Sequence, residues 1–237
     1  MNFLSQIFNS FLYQPLFNAL IFLYQFLPGK DFGIAIIVLT SIIRIILTPS
    51  MMRSLKSQKL MVTVQPKIKE IQQKHKDNPK KQTEEIMTIY KDNHINPLDS
   101  LILLLIQLPI LLALYRVFWV GLNPEELNYL YSFVSRPEII NFTFLGLINL
   151  SQPSLLLAVL AGIAQLIQSK TMPQAKKDSS GDKNQNQVAN IMSGQMLYLF
   201  PVITVLILLK MPSAVGLYWI VTTIFSIVQQ YLIFKKV

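Results

Sequence analysis

The chain has 237 residues, 52% of them hydrophobic and only 14% charged, with a formal net charge of +9. Soluble domains carry about 25% charged residues, so this composition, with its mean hydropathy of +0.44, excludes an ordinary soluble domain and implies a polytopic membrane protein. The lack of cysteine excludes disulfides, thiolate metal sites and lipidated cysteines, and the basic excess points to membrane topology and anionic lipid before nucleic acid.

Residues 1–30 form the first unit. Met1 to Leu27 is apolar but interrupted by Gln6, Asn9, Gln14, Pro15, Asn18 and Gln25. No Lys or Arg precedes Lys30, so the charged start of a secretory signal is not expected here. The pattern predicts an amphipathic helix over about Leu16 to Leu27 lying in the membrane interface; a spanning helix is the alternative. Leu27-Pro28-Gly29-Lys30 ends it, and Asp31 is placed to cap the next helix.

Residues 31–237 form the second unit, which opens with a predicted span over 32–49. Arg44 lies within it, and at helical spacing Thr40, Ser41 and Thr48 share its face. A cation in hydrocarbon is costly and normally faces protein or water. Arg44 lies about five residues, roughly 7 Å, from the cytoplasmic end of the span, so a side chain that snorkels to the headgroups is the competing reading.

Residues 50–97 are polar and basic, from Arg53 to Lys91, which assigns them to the cytoplasm. Pro66 suits the first turn of a helix, Asp77-Asn78-Pro79 is a turn signal, and Thr83, Ile86, Ile89 and Tyr90 resume helical spacing. The prediction is a cytoplasmic helical hairpin, against a solvated charged loop. His75 and His94 fall in this segment and read as solvated surface histidines.

The second span is expected over 101–120, with Gln107 and Pro109 inside it, Arg116 and Trp119 at its far end, and Asp99 as a helix cap at its start. Residues 121–152 fit an outer loop, partly amphipathic around Leu127 to Val134. The third span, 154–169, carries Gln165 and Gln168 near its cytoplasmic end. A flexible cytoplasmic loop follows over 170–193. The fourth span, 196–209, contains Pro201, a tight outer turn follows at Lys210 to Ser213, and the fifth span is 215–234. Trp219, Thr222, Ser226 and Gln230 fall along one face of that last span, and Lys235-Lys236 closes the chain on the cytoplasmic side. The fold class is therefore all-α: a five-transmembrane-helix bundle with a cytoplasmic helical hairpin, N-terminus outside and C-terminus inside.

Catalytic chemistry has little to stand on. The sequence has no Walker A, no G-x-G-x-x-G and no H-E-x-x-H motif, nor an intramembrane Ser–His or Asp–Asp pair. No catalytic residue, metal or cofactor is assigned, and the chain is not expected to be an enzyme. What remains is a polar set from several helices: Arg44 with Thr40 and Ser41, Gln107, Gln165, and the Trp219–Thr222–Ser226 face. Either these converge on a hydrated cavity, which spares a passing polar segment part of its desolvation cost, or each pairs locally between helices.

The order of several motifs resembles the YidC/Oxa/Alb family of membrane protein insertases, from about Pro15 to Lys236. They are Ile42-Ile43-Arg44 followed by Thr48-Pro49, Gln65-Pro66-Lys67-Ile68, Asn96-Pro97-Leu98, and Leu105-Ile106-Gln107-Leu108-Pro109-Ile110 with Leu114-Tyr115. Phe200-Pro201-Val202, Pro212-Ser213, Leu217-Tyr218-Trp219 and Gln229-Gln230 complete the series. Asp99 and Ser100 stand where relatives often have glycines, Leu103 where they have proline, and Ala214 where glycine is common. The resemblance implies an insertase and membrane chaperone of a bacterial cell membrane, working without nucleotide hydrolysis through a groove open to cytoplasm and lipid. Arg44 is then the groove's positive centre, Tyr218 or Trp219 meets the incoming segment, and Gln107, Gln165 and Gln168 are further groove candidates. Met51, Met52, Met61 and Met87 suit an adaptable apolar surface on the hairpin. The implied partners are nascent membrane proteins, anionic lipids, the ribosome through the cytoplasmic loops, and a Sec-type translocon; no specific nucleic-acid sequence is implied. The rival function is a small-solute transporter or anion channel with Arg44 as the binding charge. It predicts an inverted internal repeat, which the sequence does not display.

Overall fold

A computed structural model describes residues 3–96, 98–119, 124–172 and 198–234. The chain starts with α1 (Phe3–Phe8), one π-helical turn (Asn9–Tyr13) and α2 (Gln14–Phe26). Pro15 stands in the first turn of α2, where its missing N–H costs nothing. Phe17, Leu20, Ile21 and Tyr24 bury one stripe of α2, and Asn18 is buried with them. The helix begins two residues before the expected Leu16, and 5–26 is long and apolar enough to cross a membrane. Gly29 and Lys30 both turn the chain with positive φ, and Asp31 caps α3 by accepting from Ile34 N at 2.9 Å.

α3 (Phe32–Lys74) is one helix of 43 residues, with Pro49 and Pro66 inside it. Two expectations change here. The segment after Pro49 is not a separate element but the continuation of the span, and Pro66 is interior rather than in a first turn. Proline in a helix interior removes one hydrogen bond and crowds the carbonyl four residues back; burial of Met51, Ser54, Leu55, Ser57 and Val64 holds the helix together through both sites. α4 (Pro79–Asp92) returns along it, capped by Asn78, whose side chain accepts from Lys81 N at 3.1 Å. His75 is not solvated: its Nε2 lies 2.9 Å from Glu85 Oε1, with 10% of its side chain exposed, and this pair joins the arms of the hairpin.

α5 (Asp99–Trp119) follows. Asp99 is its first residue rather than its cap, and its carboxylate accepts from Ser57 of α3 and from Asn96. A 3-10 turn (Pro124–Tyr129) and a two-stranded antiparallel ribbon, β1 (Thr143–Phe144) and β2 (Ile148–Asn149), lie between α5 and α6. The ribbon was not anticipated; it reverses through Leu145 and Gly146, both at positive φ. Phe144 covers Gly33 so closely that a Cβ there would lie 2.2 Å from the ring.

α6 (Leu155–Thr171) is capped by Ser154, α7 covers Tyr198–Leu208 and α8 covers Ser213–Phe234. α8 makes its most extensive contacts with α6 and α3 and touches α5 as well. Glycines allow the close approaches: Gly216 lies against Leu157 of α6, and Gly162 of α6 against Val205 and the Pro201 carbonyl of α7. Large apolar side chains on the outside remain uncovered, among them Ile45, Ile46, Leu112, Leu155, Leu206 and Val228. Soluble monomers rarely expose such a continuous surface; it fits hydrocarbon. The loop expected over 170–193 starts inside α6, and its residues 173–193 lie outside the described residues, as do Lys235 and Lys236.

Candidate functional site

α8 carries polar side chains on two adjacent faces, and each face meets a different neighbour. Towards α3 and α5 it presents Tyr218, Thr222, Ser226 and Gln229; towards α6, Trp219 and Gln230. The spacing of four, four and three residues keeps the first set on one stripe.

Arg44 points into the seam between α3 and α8 and is 3% exposed, so the snorkelling reading does not hold. Its Nη2 donates to the Thr222 carbonyl and to Ser226 Oγ, each at 2.5 Å, and its Nη1 faces the Met51 sulfur. All of these are neutral groups. A buried guanidinium without a counter-charge leaves a strong field in the seam. Among the described residues its Nε has no partner, and neither has Thr222 Oγ1 or Gln229 Oε1.

The other candidates fall into separate pairs. Gln107 of α5 donates to the Tyr218 hydroxyl at 2.6 Å. Gln165 of α6 accepts through one oxygen from Trp219 Nε1 at 2.9 Å and from Thr204 Oγ1 of α7 at 2.8 Å. Thr40 and Ser41 turn back on their own helix, donating to the carbonyls of Ile36 and Ile37, so they do not reach across. Gln168 contributes its main-chain carbonyl to Thr171. Gln107, Gln165, Tyr218 and Trp219 thus pair locally between helices, and Arg44, Thr222 and Ser226 meet directly across the α3–α8 seam.

Sequence reasoning missed Met51, Thr204 and Gln229 as members of this network, and the single face expected for Trp219, Thr222, Ser226 and Gln230 divides, Trp219 and Gln230 turning to α6 and Thr222 and Ser226 to α3. Met51 is buried against Arg44 rather than part of an exposed hairpin surface. Gln229 donates to Thr48 Oγ1 at 3.1 Å, and Gln230 accepts from Thr171. The signal for Gln229 was present: it extends the 218–222–226 spacing by one turn.

The family model described as 60Kd inner membrane protein matches residues 22–237. The chain is 32% identical over 206 residues to a membrane protein insertase YidC of Fusobacterium nucleatum, covering 87% of each chain. It is 33% identical to the insertase YidC 1 of Listeria monocytogenes, covering 86% of this chain and 64% of that one. It is 31% identical to an insertase YidC of Prosthecochloris aestuarii over 99% of this chain and 37% of that one. The match thus takes in nearly the whole of one relative and the lesser part of another. With a polar, arginine-centred seam inside an apolar helical bundle, and a family match over all but the first 21 residues, this chain belongs to the 60Kd inner membrane protein family.

Proposed function

We propose that the chain inserts newly made proteins into a bacterial membrane and assists their folding there. The observation that supports this most directly is Arg44: buried, held only by neutral groups, and with a donor still unused. Such a site lowers the cost of bringing a polar peptide segment below the headgroups. A client's hydrophilic flank enters towards Arg44, and its apolar segment then moves into lipid. The driving force is burial of that segment, about 0.8 kcal/mol per CH₂. No bond is made or broken, so the role is non-enzymatic and needs no nucleotide.

In this reading α3, α5, α6, α7 and α8 are the five spans, and the N-terminal helix lies at the outer side with the N-terminus outside. The basic hairpin formed by α3 and α4 faces the cytoplasm, where it receives clients from the ribosome, alone or beside a Sec-type translocon, close to anionic lipid. Trp219, half-buried beside Gln165, is better placed to meet a client than Tyr218, which is buried on Gln107. The solute-transporter alternative is not favoured, because the matched relatives bear insertase names.

The test is reconstitution into liposomes with a single-span client. The protein is expected to insert it well above protein-free liposomes, Arg44→Ala to reduce the rate at least about tenfold, equivalent to 1.4 kcal/mol, and Arg44→Lys to keep most of it. Equal insertion by protein-free liposomes overturns the reading.

A further inference from the structure

Of the three unpartnered polar atoms around Arg44, two have fixed hydrogen-bond roles, Arg44 Nε and Gln229 Oε1, whereas the Thr222 hydroxyl can donate or accept. Thr48 uses its hydroxyl hydrogen on the Arg44 carbonyl at 2.7 Å, so towards Gln229 it can only accept. Gln229 Nε2 therefore donates to Thr48 at 3.1 Å, which sets the amide's orientation and leaves Oε1 as a bare acceptor in a residue 5% exposed. Arg44 uses both Nη2 hydrogens on Thr222 O and Ser226 Oγ, which leaves Nε–H as a bare donor. A buried unpaired polar group costs about 1–3 kcal/mol, and here a donor and an acceptor are left on the same seam.

One chemical class answers both. A carboxylate suits Arg44 but is repelled by the Gln229 oxygen, and an ammonium suits Gln229 but is repelled by Arg44. An uncharged peptide main chain offers a carbonyl to the first and an N–H to the second. We infer that Gln229 is a second client-binding residue of the Arg44 site, its side-chain oxygen accepting a hydrogen bond from a main-chain N–H of the client's hydrophilic flank, while Arg44 Nε–H donates to a carbonyl of the same stretch. The inference rests on the insertase reading and deepens it: the ligand is neutral polar backbone, not an acidic side chain in particular. In the described state the packing of α3 on α8 covers both atoms and the Met51 thioether lies over Nη1. The client enters as that seam parts: the cross-seam bonds of Arg44 to Thr222 and Ser226 and of Gln229 to Thr48 give way, and its main chain is met by Arg44 Nε–H and Gln229 Oε1.

The experiment uses proteoliposomes of the full chain and synthetic single-span peptides with a Gly/Ser flank. In one set each flank glycine in turn is replaced by N-methylglycine, which removes one peptide N–H and adds no charge. The protein is expected to insert the unmodified peptide about five- to tenfold faster than a peptide methylated at one particular flank position, the size of one hydrogen bond to a buried group. Gln229→Leu is expected to insert both at the slower rate, whereas Arg44→Ala slows both further. Equal insertion of all methylated and unmodified peptides by the unaltered protein overturns the inference, and so does undiminished discrimination in Gln229→Leu. Should Gln229→Leu fail to fold, the positional effect in the unaltered protein decides alone. Failure of every peptide to exceed protein-free liposomes is a different result and counts against the insertase reading itself.

Discussion

Arg116 and Arg44 both sit in strongly apolar helices, yet their surroundings differ in kind. Arg116 of α5 donates to Asn9 Oδ1 at 2.5 Å and lies 4.2 Å from the centre of the Tyr13 ring, and the Tyr13 hydroxyl donates to Glu126 at 2.5 Å. The polar groups of α2 are matched with the same economy. Asn18 donates to the carbonyls of Gln14 and Tyr129 and accepts from Tyr131 N, Gln25 donates to the Ser135 carbonyl, and the Tyr24 hydroxyl accepts from Asn141 N. On this outer seam each named polar group has its complement; on the Arg44 seam three atoms do not. The same residue types therefore do two jobs. Where donors and acceptors balance, they fasten the N-terminal helix to the loop between α5 and α6; where they do not, hydrogen-bonding capacity is left unused.

That contrast is open to measurement by thermal unfolding in detergent. The largest loss is expected for Asn18→Leu, about 2–3 kcal/mol, because it strands the Tyr131 N–H and takes from the Tyr129 carbonyl one of its two donors, the other being Gln14 Nε2. Gly162→Val is next, about 1–3 kcal/mol from overpacking, since a Cβ there lies 2.5 Å from Val205 Cγ2. Arg116→Met costs about 1–2 kcal/mol, as the residue is only half-buried and its stem still packs. Gln229→Leu, by contrast, is expected to change stability by less than about 1 kcal/mol, because it removes an unsatisfied acceptor along with one hydrogen bond. A Gln229→Leu loss as large as that of Asn18→Leu erases the distinction between the two seams. His75→Ala gives the smallest effect, under about 1 kcal/mol for one partly exposed hydrogen bond at the hairpin's end.

Much of this was legible in advance where a single local signal decides. Asp31 as a cap, Asn78-Pro79 as the start of α4, and the apolar runs of α5 to α8 follow from neighbours in sequence. Pro66 was misread because the same residue serves a first turn or a helix interior, and only the distant packing of α3 chooses between them. The inward turn of Arg44 was left open by the sequence, since its own helix supports both directions; Thr222 and Ser226, 178 and 182 residues away, settle it. Thr40 and Ser41 share its face yet find acceptors on their own helix, a choice that helical spacing cannot reveal. The ribbon at 143–149 escaped notice because two-residue strands carry no periodicity, and Gly146 is its one clear mark.

The unbroken course of α3 has a mechanical meaning. At 1.5 Å per residue its 43 residues make a rod of about 64 Å, with Arg44 on one arm and the hairpin tip on the other. Between them lies a fulcrum, where Ser57 meets Asp99 and Lys59 Nζ reaches the Ile233 carbonyl at 3.0 Å. With no turn or loop between the two arms, a displacement of the tip is carried along continuous helix towards the guanidinium, and Pro49 and Pro66, one on either side of the fulcrum, are the places where it can bend.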